Sequence, residues 1–189
     1  MHPEKSRLRQ HYRTVRESFS AHQVAADSSA LCQRLANWHV LHQAHTVLSY
    51  IAFRNELDLA ALTDLVPDIQ WAIPRVVGAR LICHRYDPKR LIRHRFGMLE
   101  PAPDLPVVAP SDIDLVLVPG VAFDPRGGRV GFGGGFYDRF LPTTPALRVG
   151  VTTDLCLADA LPVDAHDQRV DWVATPTQIL DCQRAHCYD

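Results

Sequence analysis

The chain has 189 residues, 47% of them hydrophobic and 22% charged, with a net charge of −1 at pH 7. This length suits a single domain, residues 1–189, that buries roughly 70% of its unfolded surface and needs no disulfide or structural metal to fold. The near-zero charge excludes a nucleic-acid binder that works by bulk positive charge. In chain order, the first element is a helix: Leu8, Tyr12, Val15 and Phe19 recur at spacings that line one face. Beside that stripe run Lys5, Arg9, Arg13 and Arg16, a row of long cations that is either a solvated face or one side of an anion site. Ser20 and Gln23 form the sequence of a capping box, opening a second helix whose apolar positions are Val24, Leu31, Leu35 and Trp38.

The texture then changes to strands alternating with helices or turns. Residues 46–52 are β-rich, and 57–66 has helical spacing. Residues 71–77 and 80–86 flank Gly78 and predict a hairpin. The stretch 91–110 carries four prolines, at 101, 103, 106 and 110, and predicts a surface connection. Residues 113–118 form a near-continuous apolar run, the pattern of a central strand covered on both faces. Residues 147–152 and 172–174 predict two more buried strands. The alternation points to an α/β fold: an open, mainly parallel, Rossmann-like sheet flanked by helices, with an N-terminal helical segment.

The cysteines, at 32, 83, 156, 182 and 187, are odd in number and contain no C-x-x-C pair. Reduced thiols in a cytoplasmic protein are expected, not a zinc cluster or a disulfide framework. His39, His42 and His45 lack an H-E-x-x-H pattern or a nearby cysteine, so no metal site is expected there. No apolar leader opens the sequence and no 18-residue apolar run occurs, so neither secretion nor a membrane partner is expected.

The most informative segment follows the central strand: Pro119-Gly120-Val121-Ala122-Phe123-Asp124, a turn, then Arg129-Val130-Gly131-Phe132-Gly133-Gly134-Gly135-Phe136-Tyr137-Asp138-Arg139. Glycines at 131, 133, 134 and 135 permit close approach of a ligand to backbone N–H groups, and a helix opening near Tyr137 would add its dipole. The pattern is a phosphate cradle of neither common kind. No Gly-Lys-Ser/Thr follows, which excludes a P-loop, and Phe136 stands where the dinucleotide motif needs glycine. Arg129 and Arg139 bracket the glycines, and Asp138 offers a hard oxygen suited to Mg²⁺.

These two runs closely resemble the signature of the 5-formyltetrahydrofolate cyclo-ligases, also called 5,10-methenyltetrahydrofolate synthetases. Four further segments extend the resemblance over nearly the whole chain: Lys5-Ser6-Arg7-Leu8-Arg9, Tyr50 through Asn55-Glu56, Gly97-Met98-Leu99-Glu100-Pro101, and Leu161-Pro162 through His166-Asp167 with Val170-Asp171. The resemblance implies an α/β architecture shared with phosphosugar isomerases and coenzyme A transferases. It also implies an ATP-dependent enzyme that cyclises 5-formyltetrahydrofolate, monomeric and cytoplasmic, with Mg²⁺ as cofactor and the folate open to polyglutamylation. Carried over, Lys5, Arg9, Arg129 and residues Gly131, Gly133, Gly134, Gly135, Phe136 and Tyr137 would hold ATP, with Arg129 and Tyr137 acting catalytically. Asp138 and Asp167 would bind the metal, and Ile51 and Glu56 the folate. Phe132 and Phe136 replace tyrosine or another polar residue common in the family, so no phenol is essential at either position. Two other readings fit the pattern: an ATP-independent enzyme on the same architecture, and a non-catalytic folate or nucleotide carrier.

Overall fold

The computed structural model of the protein describes residues 3–95 and 97–184. Helix α1 (Pro3–Glu17) seats Leu8 and Tyr12 on a small apolar cluster of Val121, Ala122, Val130, Ala158 and Leu161. Its first stripe therefore packs onto the segment that leads into the glycines. Helix α2 (Ala21–Ala36) opens at the expected capping box: Gln23 N–H donates to Ser20 Oγ at 3.2 Å and Ser20 N–H to Gln23 Oε1 at 3.5 Å. It buries Leu31, Cys32 and Leu35. After a one-turn α3 (His39–His42), strand β1 (Thr46–Leu48) enters the sheet. Helix α4 (Leu62–Leu65) precedes β2 (Gln70–Val77) and β3 (Arg80–Arg85), the hairpin turning at Gly78. Then come β4 (Leu91–Arg93), β5 (Leu99–Pro101), β6 (Val107–Val108) and the central β7 (Leu115–Pro119). A short hairpin, β8 (Ala122–Phe123) with β9 (Arg129–Val130), leads through the glycines to α5 (Phe136–Phe140). Strands β10 (Leu147–Val151), β11 (Trp172–Ala174) and β12 (Ile179–Asp181) complete the fold.

The eight-stranded sheet runs β12-β11-β10-β7-β1-β2-β3-β6. Its five inner strands are mutually parallel, and the antiparallel pairs lie toward the edges. Period-two alternation along β7 divides the core. Leu115 and Leu117 face a cluster with Leu31, Leu35, Leu41, Val47 and Leu62, while Val116 and Val118 face Leu48, Phe123, Phe140, Leu141 and Val173. Helices cover both faces, so the run reads as continuously apolar. Truncating fully buried Leu117 to alanine would cost about 2–5 kcal/mol.

The structure corrects several expected boundaries. The strand expected over 46–52 ends at Leu48. The helix expected over 57–66 is only Leu62–Leu65, because Leu57 and Leu59 reach the core from a non-helical approach. The proline-rich stretch is not a bare connection: β4 and β5 pair, with Pro101 opposite Leu91 at the hairpin's end, and β6 pairs with β3. Proline at a strand terminus loses no ladder bond that the partner needs. The turn after Asp124 proves to be the β8–β9 hairpin. Its Asp124 is buried and accepts from the backbone N–H of Arg126, Gly128 and Leu161 at 2.8–2.9 Å.

Candidate active site

β1, β2 and β7 all end at one edge of the sheet, and a cleft of about 800 Å³ opens there. Such a cleft at strand ends is where open α/β sheets hold ligands. It is lined by every residue that the sequence nominated: Lys5, Arg9, Ile51, Glu56, Arg129, Gly131, Gly133, Gly134, Gly135, Phe136, Tyr137, Asp138 and Asp167.

One wall is the glycine segment. Residues 131–135 bend without a helical or strand hydrogen-bonding pattern, which leaves their N–H groups to serve a ligand. Gly133 (φ 102°) and Gly135 (φ 63°) lie in the left-handed region, where a side chain would be strained. Helix α5 begins at Phe136, and with five residues it supplies little of the dipole expected there. The cradle rests on backbone amides and cations. Arg139 was expected as a second bracketing cation, but its guanidinium is occupied: Nε donates to Ala79 O and Nη2 to Gly134 O, both at 2.9 Å. That ties the loop to the β2–β3 turn.

The cations of α1 close this wall. Arg9 Nε donates to Gly131 O at 2.8 Å. Lys5, buried, donates to Asp164 Oδ2 at 2.9 Å and to Asp167 Oδ2. Burial works against its charge, yet the hydrogen bonds to Asp167 and Asp164 prevail and hold the ammonium above its ordinary range. Arg129 Nη2 donates to Asp138 Oδ1 at 2.5 Å, and Gln168 N–H approaches the same oxygen at 3.5 Å. Asp138 and the 164–167 turn are therefore neighbours. Ligand atoms of Asp164, His166 and Asp167 lie within 4.8 Å of one another. Two carboxylate–cation pairs thus stand side by side across the strand ends. The hard oxygens fit Mg²⁺; in the structure they are neutralised by Arg129 and Lys5.

The opposite wall is built on residues 50–56. Glu56 Oε2 accepts from Phe53 N–H at 2.8 Å. Burial pushes its carboxyl up to about 6, against the pull of the Phe53 N–H and the Arg16 guanidinium. Tyr50 O–H donates to Leu57 O at 2.9 Å and fixes the loop from beneath. Arg54, the one non-glycine with positive φ (58°) among the described residues, stands over the Phe53 ring. Tyr137 packs against the core below α5 and under Arg129, whose Cζ is 5.9 Å from its ring centre. Burial raises its phenol far above the ordinary range, so Tyr137 stays protonated at neutral pH and can donate a hydrogen bond.

Sequence reasoning missed part of this wall. Glu100 is 2% exposed and accepts from Val76 N–H at 3.0 Å. It thereby satisfies the free edge of β2 beyond the end of β1. Arg16 was noted only as a member of the cationic row, yet it reaches Asn55 O and Gly120 O. Nothing in the row marks it out: only the structure shows Arg16 buried where Arg13 is exposed.

The profile of the 5-formyltetrahydrofolate cyclo-ligase family matches residues 1–176. The chain belongs to that family. The 5-formyltetrahydrofolate cyclo-ligase of Escherichia coli K12 is 31% identical over 161 residues, covering 78% of this chain and 87% of the relative. The NMR structure of Aquifex aeolicus 5,10-methenyltetrahydrofolate synthetase superposes with a TM-score of 0.86 at 31% identity, covering 95% and 93% of the two chains. A 5,10-methenyltetrahydrofolate synthetase from Mycoplasma pneumoniae shares the fold at a TM-score of 0.74 and 21% identity, covering 92% and 99%. The cyclo-ligase architecture, an enzyme fold, is thus the one described above. No described helix is long and apolar enough to cross a membrane.

Proposed function

We propose that this chain couples ATP hydrolysis to ring closure of 5-formyltetrahydrofolate, forming 5,10-methenyltetrahydrofolate, ADP and phosphate, in one domain acting as a cytoplasmic monomer. The observation that carries this is a single cleft faced on one side by amides and cations and on the other by a half-buried carboxylate beside aromatic rings. The first side suits a triphosphate, the second a ring rich in N–H donors.

A formamide oxygen is a poor leaving group, so it must be activated before it can depart. In this scheme the γ-phosphoryl group moves from ADP oxygen to formyl oxygen. N10 then bonds to the formyl carbon and loses its proton, and the C–O bond breaks to release phosphate. Lys5, Arg9 and Arg129 neutralise the charge that spreads over the transferring group, and the amides of 131–137 align it. Tyr137, held protonated, donates toward the reacting oxygens. Glu56 accepts from the pterin ring, with Ile51 packed beside it. Asp138 and Asp167 are the residues that would hold Mg²⁺, once Arg129 and Lys5 turn to the phosphates. When bound, the ion supplies charge neutralisation between phosphate oxygens. No protein nucleophile is required, and no covalent enzyme intermediate is expected.

The test is direct: mix the protein, Mg-ATP and 5-formyltetrahydrofolate and follow methenyl absorbance in the near ultraviolet. Growth of the signal only with all three components supports the proposal; no ATP-dependent signal overturns it.

A further inference from the structure

We propose that Arg16 is a positioning residue for the folate: a fixed buried cation that keeps Glu56 in the anionic form able to accept from the substrate ring. The proposal rests on the cyclo-ligase reading and assigns a role within its site to a residue that touches neither the phosphates nor the reacting carbon.

Arg16 lies in the last turn of α1 and is only 8% exposed. Its Nε donates to Asn55 O at 3.3 Å and Nη1 to Gly120 O at 3.4 Å, while its Cζ sits 5.4 Å from the centre of the Phe132 ring. No carboxylate lies within ion-pair distance of it among the described residues. A guanidinium cannot shed its proton, and burying a cation without a counter-ion is costly unless a nearby anion or dipoles offset it. The neighbouring anion is Glu56, adjacent in sequence to the residue that Arg16 clasps.

The clasp is double, because Asn55 Nδ2 donates back to Arg16 O at 2.9 Å. Helix and loop are thus held in fixed register, and the cation cannot swing to another partner without breaking both links. Around Glu56 stand Arg16 from α1, Tyr50 from the end of β1, the Phe53 N–H of its own loop and Tyr137 from α5. Both phenols are held neutral by burial. Arg16 is therefore the cation whose field opposes the burial of the Glu56 carboxylate. Row members of one helix serve different walls: Lys5 and Arg9 the phosphate side, Arg16 the folate side.

A mere mechanical clamp between α1 and the loop predicts something different, and pH separates the two. Binding that needs ionised Glu56 is full above its pKa and is lost as pH falls through about 6. Removing the Arg16 charge moves that loss upward by about one pH unit or more. The experiment compares wild type, Arg16→Gln and Arg16→Lys, measuring KM for 5-formyltetrahydrofolate at saturating Mg-ATP from about pH 5.5 to about pH 9, which brackets the titration of a shifted carboxyl. Arg16→Gln is expected to raise KM about twofold at pH 7 and about five- to eightfold at the acid end, and to approach wild type at the alkaline end. Arg16→Lys should keep the wild-type profile. An equal rise at every pH in Arg16→Gln, or an acid limb unmoved by it, overturns the proposal.

Titration of the Glu56 side-chain carboxyl by ¹³C NMR in the ligand-free protein gives a second readout, independent of activity. Its midpoint should rise in Arg16→Gln and hold in Arg16→Lys. If Arg16→Gln fails to fold, the Arg16→Met and Arg16→Lys titrations decide, and coincident midpoints for those two refute the electrostatic role. A wild type without cyclo-ligase activity but with the expected midpoints would instead sink the function and leave the coupling intact.

Discussion

The two walls of the cleft handle charge in opposite ways. On the phosphate wall the ions are paired at contact: Lys5 with Asp164 and Asp167, Arg129 with Asp138. On the folate wall Glu56 is half-buried and Arg16 buried, and among the described residues neither stands in contact with an ion of opposite sign; each is met by backbone groups. In the proposed reaction one wall serves exchange and the other recognition: contact pairs would trade partners on binding a metal–triphosphate, at little net change in charge neutralisation. A buried charge held by the backbone keeps its place and selects the ring that complements it.

The comparison can be broken at several points. The largest effect should come from Asp138→Ala, which removes a carboxylate from the exchange wall. Turnover with Mg-ATP should fall on the order of 10²-fold or more while the protein stays folded, as read by methenyl formation and by thermal melting. Near-normal turnover would show that Asp138 holds no metal. Next, Lys5→Met should cut kcat/KM for ATP by about 10²-fold. It should also let Mn²⁺ bind in the absence of nucleotide, as followed by electron paramagnetic resonance, because the ammonium no longer competes for Asp164 and Asp167. Unchanged metal affinity would mean that those carboxylates are structural. On the recognition wall, Glu56→Gln should raise KM for the folate by about 10- to 100-fold with KM for ATP almost unmoved. The same variant should abolish the dependence of folate KM on pH near 6. The smallest effect is expected for Gly134→Val, about tenfold in KM for ATP. A Cβ at Gly134 would meet the Phe136 ring at 2.8 Å, so the loop must shift its amides to admit the side chain. ATP affinity left intact would place the phosphates elsewhere.

How much of this was written legibly in the sequence varies with the physics of each part. The central strand was clear because a strand covered on both faces has no polar alternation to obscure it. The first helix and its cations were clear because 3.6-residue spacing persists over about three turns. The β4–β5 hairpin was hidden by prolines that normally mark loops, and only pairing shows that Pro101 sits harmlessly at a strand end. The helix expected over 57–66 failed because burial of Leu57 and Leu59 is decided by the core and not by local period. At the site, residue types announced the phosphate wall, since glycines, cations and an acid cluster within the eleven positions 129–139. The folate wall did not announce itself: Arg16 looks like its exposed neighbours until the Asn55 and Gly120 carbonyls are seen against it.

The carboxylate of Asp124 has a consequence beyond the site. It gathers the amides of Arg126, Gly128 and Leu161, and Gly127 O takes Val170 N–H at 3.0 Å. The base of the glycine segment is thus laced to chain that is synthesised about forty residues later. During synthesis the hairpin must wait for that strap, and in the finished protein the three amides gathered on Asp124 should exchange with deuterium as one unit, a correlation that hydrogen-exchange measurements would check.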